Sequence, residues 1–183
     1  MLSRLFALFL LILFSPIFIL VSLVILIEDG FPVFFTQKRV GINYTFFNIY
    51  KFRSMMKNTP NVATHLLENP DQNLLKIGKL IRKTSLDELP NLINIIKGEM
   101  VFVGPRPALF NQDDLMELRV ATGLSKLKPG ITGWAQINGR DEISIQEKVR
   151  LEQEYMNRMS ILFDIEIIFK TFTSVLRSKG VKH

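Results

Sequence analysis

The chain has 183 residues, a formal net charge of +6 and 48% hydrophobic residues, which suits one domain with a sizeable apolar share. It has no cysteine, which excludes disulfides and thiolate metal centres, and His65 and His183 lack metal-ligand spacing. The basic balance suits anionic lipid, phosphorylated substrates or nucleic acid as a partner.

From Leu5 to Ile27 the sequence is apolar, interrupted only by Ser15, Pro16 and Ser22. As one helix it would be about 34 Å long, against a hydrocarbon core of roughly 30 Å. The run is too long for a signal peptide, and no small-residue cleavage site follows it. The segment is therefore expected in the membrane. Ser15-Pro16 falls near its middle, where a proline removes a backbone hydrogen bond and kinks the helix. Each arm is then about 15–18 Å, half the core, which fits a re-entrant hairpin. A kinked spanning helix is the alternative, and the flanking charges (Arg4 on one side, Glu28-Asp29 and Lys38-Arg39 on the other) do not choose between them.

Val33 to Gln37 and Thr45 to Phe52 are aromatic and β-branched, with Gly41-Ile42-Asn43 as a turn between them. The alternation sets Tyr50 and Phe52 on one face and Lys51 and Arg53 on the other, as a solvated face or as anion ligands. Met56 to Asn73 reads as a polar loop. Leu74 to Lys83 then gives a short basic amphipathic helix, suited to a membrane interface or to packing on a core.

Ser85-Leu86-Asp87-Glu88 has the form of a capping box, with Ser85 closing a helix start and Glu88 reaching back. Pro90 favours another register, in which the helix runs from about Pro90 to Lys97, stops at Gly98, and leaves Asp87 and Glu88 in the preceding turn. In either register two acids stand at the positive end of a helix dipole. A carboxylate pair among cations also suits a magnesium-dependent reaction at phosphorus.

Met100 to Val103 is strand-like and leads into Gly104-Pro105-Arg106-Pro107, where two prolines restrict the backbone around Arg106. Asp113 to Ala121 is expected to be helical. Pro129-Gly130-Ile131-Thr132-Gly133 reads as a glycine-rich turn whose amides face an anion, without the spacing of a P-loop. Asn138-Gly139-Arg140-Asp141 is a turn. Ser144 to Glu147 is a second capping box, opening a charged helix to about Arg158. Ile161 to Arg177 is an amphipathic helix for a core or a membrane surface.

These segments, in this order, resemble the small bacterial sugar transferases, the monotopic phosphoglycosyl transferases. The resemblance rests on Ser15-Pro16, Pro32 to Gln37, Tyr50 to Met55, Ser85 to Pro90, Gly104 to Pro107, Pro129 to Gly133 and Asn138-Gly139-Arg140. It covers nearly the whole chain, and only the set together is specific. Two departures stand out. Arg4-Leu5-Phe6 is followed by Ala7, where the family often has an acid, and the chain starts at the membrane segment, without the further transmembrane helices of longer relatives.

The resemblance implies an α-dominated α+β fold with a re-entrant N-terminal membrane helix-hairpin, a small β hairpin and amphipathic interfacial helices. Residues 1–28 would form the re-entrant membrane helix broken at Ser15-Pro16, and residues 29–183 a membrane-associated catalytic domain on the cytoplasmic face of the inner membrane. It implies Asp87 as covalent nucleophile and metal-bound carboxylate, Glu88 as its partner, and Mg2+ as cofactor. Lys51, Arg82 and Arg106 match phosphate-contacting positions, and Arg140 and Thr132 fall where the nucleotide binds. The implied donor is a UDP-sugar, the acceptor polyprenyl (undecaprenyl) phosphate, and the surrounding partner anionic membrane lipid rather than nucleic acid. A membrane-bound phosphatase or pyrophosphatase using the same aspartyl chemistry, with water as acceptor, is the rival, and a non-catalytic lipid-binding adaptor is a third reading. The sugar is not specified.

Overall fold

The computed structural model describes residues 1–59, 70–139 and 143–176. His65, Arg140 and His183 lie outside them. Among the described residues the chain is helix-rich, with two small two-stranded sheets.

Helices α1 (Leu2–Leu13) and α2 (Ser15–Asp29) divide the apolar N-terminal run. Pro16 stands in the first turn of α2, where its missing N–H costs no intrahelical bond. The pair bends by 61° at Phe14, and neither helix alone is long and apolar enough to cross a membrane. The helix-hairpin expected from sequence takes the form of an open V. The backbone bonds Phe14 N to Leu10 O and Phe18 N to Phe14 O, both 2.9 Å, carry the helical path through the bend, so the chain deflects rather than reverses.

Both arms use one stripe for packing. Ala7 of α1 is fully buried with Phe47, Ile49, Leu92, Ile95 and Met100, whereas Val21 and Ile25 of α2 join Val33, Phe52, Leu75 and Ile81. The opposite stripes expose Leu5, Phe9, Ile12, Leu13, Ile19, Leu20 and Leu23.

The hairpin forms as β1 (Phe34–Val40) and β2 (Phe46–Phe52), antiparallel, with Phe34 opposite Phe52 and Val40 opposite Phe46. Both of its faces are used. Phe47 and Ile49 pack toward α1, and Phe52 meets Phe18 of α2 from the other face, so simple inside–outside alternation ends near Tyr50. Arg53, expected as a solvated side chain or an anion ligand, is not solvated, and the anion it meets is the chain's own Asp29. Arg53 is buried, bonds Asp29, and donates from Nε to Pro32 O at 2.6 Å and from Nη2 to Gly30 O at 2.7 Å. Its position next to the end of α2 explains this, because the guanidinium satisfies carbonyls that the helix terminus leaves open.

Helix α3 (Lys76–Lys83) turns Ile81 and Gly78 into the core beneath α2, while Leu80 stays exposed. Glu28 of α2 accepts the backbone N–H groups of Lys76 and Ile77, so a distant carboxylate caps its positive end.

Helix α4 (Asn91–Lys97) ends at Gly98, whose φ of 84° is left-handed. Its Asn94 is fully buried, accepting Tyr50 N at 3.1 Å and donating to Asn48 O at 2.7 Å, which fastens α4 to β2.

Strand β3 (Val101–Val103) pairs in parallel with β4 (Gly130–Thr132). The expected glycine-rich anion turn is therefore a strand. The amide of Gly130 donates to Pro105 O, 2.9 Å away, and a Cβ on Gly130 would collide with Gly104, so the glycines serve close backbone approach. Helices α5 (Asp113–Ala121), α6 (Trp134–Ile137), α7 (Ile145–Arg158) and α8 (Ile161–Leu176) complete the fold. Ser144 caps α7 as its box predicts, with its side chain accepting Glu147 N at 3.2 Å. Phe163 and Ile167 of α8 are buried with Val103 and Tyr155, while Ile161, Leu162, Ile165, Phe169 and Phe172 are exposed.

Candidate active site

The acids stand in a short turn, Leu86–Glu88, between α3 and α4. Of the two registers open from sequence, the one set by Pro90 forms. Ser85 takes left-handed angles (φ 56°) and makes no side-chain cap, and Pro90 stands at the N-cap of α4. Glu88 is thereby released from reaching back to a backbone amide, and its carboxylate turns to cations from other elements.

Lys51, near the end of β2, donates from Nζ to Glu88 Oε1 at 2.7 Å and lies 3.9 Å from Asp87 Oδ2. Arg106, in the turn after β3, places Nη1 3.6 Å from the same Glu88 oxygen. Arg82, in the last turn of α3, donates from Nε to Ser54 Oγ at 2.8 Å and adds positive potential at Asp87. Five residues singled out from sequence (Lys51, Arg82, Asp87, Glu88 and Arg106) are thus gathered from separate parts of the fold.

Asp87 is buried, and desolvation pushes its pKa up to about 6. Lys51 opposes that rise, the Glu88 charge adds to it, and Arg82 and Arg106 oppose it. At neutral pH the group is therefore ionised but poorly solvated, a state suited to nucleophilic or general-base work.

Beside Glu88 is a small, partly open cavity lined by Arg39, Ile49, Lys51, Glu88, Asn91, Met100, Arg106, Pro107, Gly130 and Ile131. Asp87 does not line it and borders it through Lys51. Three of the lining side chains are cations, which suits a phosphorylated ligand. Arg39 and Asn91 were not singled out from sequence. Alternation along β1 sets Gln37 and Arg39 on one face, and Arg39 Nη2 does donate to Gln37 Oε1 at 2.6 Å, so a period of two was the available signal. Asn91 had no such signal. It is almost fully buried and lies one turn after Glu88.

Thr132 is not brought to this cavity. It is buried in β4, and its hydroxyl shares a 2.7 Å hydrogen bond with that of Thr171 on α8. Arg140 lies outside the described residues.

Among the described residues no three His, Asp or Glu side chains gather into a metal cage. Mg2+ commonly takes only one or two protein carboxylates and completes its shell with substrate phosphates and water. The hard oxygens of Asp87 and Glu88 fit that donor set.

Comparison with known proteins shows the family. The family described as bacterial sugar transferase matches residues 1–178. The uncharacterized sugar transferase EpsL of Bacillus subtilis is 42% identical over 186 aligned positions, covering 99% of this chain and 90% of that protein. The exopolysaccharide production protein ExoY of Rhizobium meliloti is 37% identical, over 93% of this chain and 81% of that one. The UDP-glucose:undecaprenyl-phosphate glucose-1-phosphate transferase of Escherichia coli is 41% identical, over 88% of this chain but only 36% of the longer relative.

Proposed function

The chain belongs to the bacterial sugar transferases, and on that premise we propose that it moves a sugar-1-phosphate from a UDP-sugar to undecaprenyl phosphate, at the cytoplasmic face of the bacterial membrane, in polysaccharide assembly. The single observation that carries the chemistry is Asp87, a buried carboxylate held against Lys51 with its pKa raised to about 6. Donor and acceptor follow the chemistry named for the E. coli relative, and the pathway follows the role named for ExoY.

In the first step an Asp87 oxygen attacks the sugar-bearing phosphorus. The bond from that phosphorus to the bridging oxygen breaks, and UMP leaves. In the second step a phosphate oxygen of the lipid attacks the aspartyl phosphosugar, the acyl-phosphate bond breaks, and Asp87 returns as a carboxylate with the lipid diphosphosugar released. Lys51, Arg82 and Arg106 offset charge on the transferring group, and Glu88 orients Lys51 and Arg106 or takes a proton. Mg2+, held by Asp87 with Glu88 adjacent, would supply further charge neutralisation on the donor diphosphate.

A lipid acceptor and a water-soluble donor require a site at the membrane surface. Three features support that location: the exposed apolar stripes of α1 and α2, their open V, and the exposed apolar face of α8. Both free ends of the V are fastened to the same domain. Arg4 lies over Gly98 at the end of α4, and Glu28 and Asp29 hold Lys76, Lys57 and Arg53. A re-entrant path that returns to its starting face accounts for this.

Membranes carrying the protein, incubated with a panel of UDP-sugars and undecaprenyl phosphate, should release UMP with one sugar and form the matching lipid product. Release of free sugar phosphate without lipid would favour a phosphatase instead.

A further inference from the structure

Arg106 sits on a backbone held at three consecutive carbonyls, each by a donor from a different element. Pro105 O accepts Gly130 N from β4 at 2.9 Å, Arg106 O accepts Arg119 Nη2 from α5 at 3.0 Å, and Pro107 O accepts Arg39 Nη1 from β1 at 3.0 Å. The middle contact comes from a buried ion pair. Arg119 and Glu152 are 5% and 2% exposed, with Nε to Oε2 at 2.8 Å and Nη2 to Oε1 at 2.5 Å. Neither side chain lines the cavity.

A buried ion pair is a poor source of stability, because apolar residues of similar volume often serve as well or better. Its use here calls for another reason, and the contact to Arg106 O supplies one. The planar guanidinium grips the carboxylate with two N–H groups along one edge and still directs a further N–H at a third oxygen. We propose that the Arg119–Glu152 pair is a positioning device, which fixes the Gly104–Pro107 turn so that the Arg106 guanidinium is aimed in advance at substrate phosphate. This rests on the transferase reading of the site. Arg119 acts through Arg106 and touches neither substrate nor the reacting atoms.

The test is a double-mutant cycle. Replacing both partners (Arg119→Met with Glu152→Leu) removes the contact to Arg106 O and leaves no unpaired buried charge. That double variant should keep the parent's melting temperature within a few degrees while KM for the UDP-sugar rises about tenfold and kcat changes less. In an Arg106→Ala background the same pair of substitutions should change KM less than twofold, because the group being aimed is gone. Arg119→Lys, which keeps the charge opposite Glu152, should show the same background dependence and covers the case in which the double variant does not fold. An unchanged KM in a folded variant overturns the proposal. So does an equal loss in both backgrounds, which would mark the pair as general support. A parent protein that transfers no sugar phosphate would instead overturn the transferase reading, before any variant is compared.

Discussion

Lys51 and Glu88, 37 positions apart, meet at 2.7 Å, and that contact leaves the Lys51 ammonium 3.9 Å from Asp87. The cation is closer to the acid that is not proposed to attack. Glu88 therefore holds Lys51 beside the nucleophile without letting it neutralise Asp87 fully, and it does the same for Arg106 at 3.6 Å.

Loss of either cation should weaken phosphate handling. A hydrogen bond to a charged group contributes about 1.5–3 kcal/mol, so Lys51→Ala or Arg106→Ala should each lower kcat/KM by roughly ten- to a hundredfold. Arg106→Lys should recover only part, since lysine lacks the planar fork. Steady-state kinetics with the UDP-sugar decide this, and unchanged values would put the anion site elsewhere.

The raised pKa of Asp87 fixes the sign of two pH effects. Attack needs the carboxylate, so kcat/KM should fall as pH drops through about 6. Stability runs the other way. A carboxyl whose folded pKa lies above its unfolded value of 3.8 contributes most when protonated, and that contribution is lost as pH rises from about 4 through about 6. Asp87→Asn should therefore melt above the parent at pH 8, with the gap closing toward pH 4. Thermal unfolding at the two pH values is the check, and a constant gap would contradict the desolvated carboxylate.

Gly78 packs so closely on the Ser54 carbonyl that any Cβ would overlap it, and Ser54 Oγ in turn holds Arg82. Gly78→Ala should cost about 1–3 kcal/mol through overpacking and displace α3 from the site. Equilibrium unfolding together with activity would register both changes. A stable, fully active Gly78→Ala protein would mean that α3 is free to shift.

Much of this architecture was legible in the chain, and for local reasons. Proline, glycine and alternation mark short-range preferences, so the hairpin, the break near Pro16, the α4 boundaries at Pro90 and Gly98, and the Ser144 cap all read correctly. The grouping of Lys51, Arg82, Arg106 and the acid pair came from the resemblance, because no local rule brings together residues so far apart. The misreadings were tertiary in origin. Residues 130–132 look like a turn until β3 offers them a parallel partner, and Arg53 looks solvated until the end of α2 arrives beside it. Arg119 and Glu152 were invisible for the same reason, since each alone is an ordinary charged residue on a helix.

The chain has no cysteine, so single substitutions report topology cleanly. Ser3→Cys, at the start of α1, and Glu117→Cys, on the exposed side of α5, should both resist an impermeant maleimide in intact cells and both react after lysis. Labelling of Ser3→Cys alone in intact cells would show a span in place of a re-entrant path.

Covalent attachment of the transferred group to Asp87 is tested most directly by trapping. Protein incubated with a UDP-sugar carrying label in the β-phosphate, without lipid acceptor, and then quenched in acid should retain label on the polypeptide. The label should be discharged when undecaprenyl phosphate is added before the quench. Asp87→Asn should retain none while still folding and binding donor, and Glu88→Gln should accumulate less label, more slowly. Label retained at the parent level in Asp87→Asn would contradict the account.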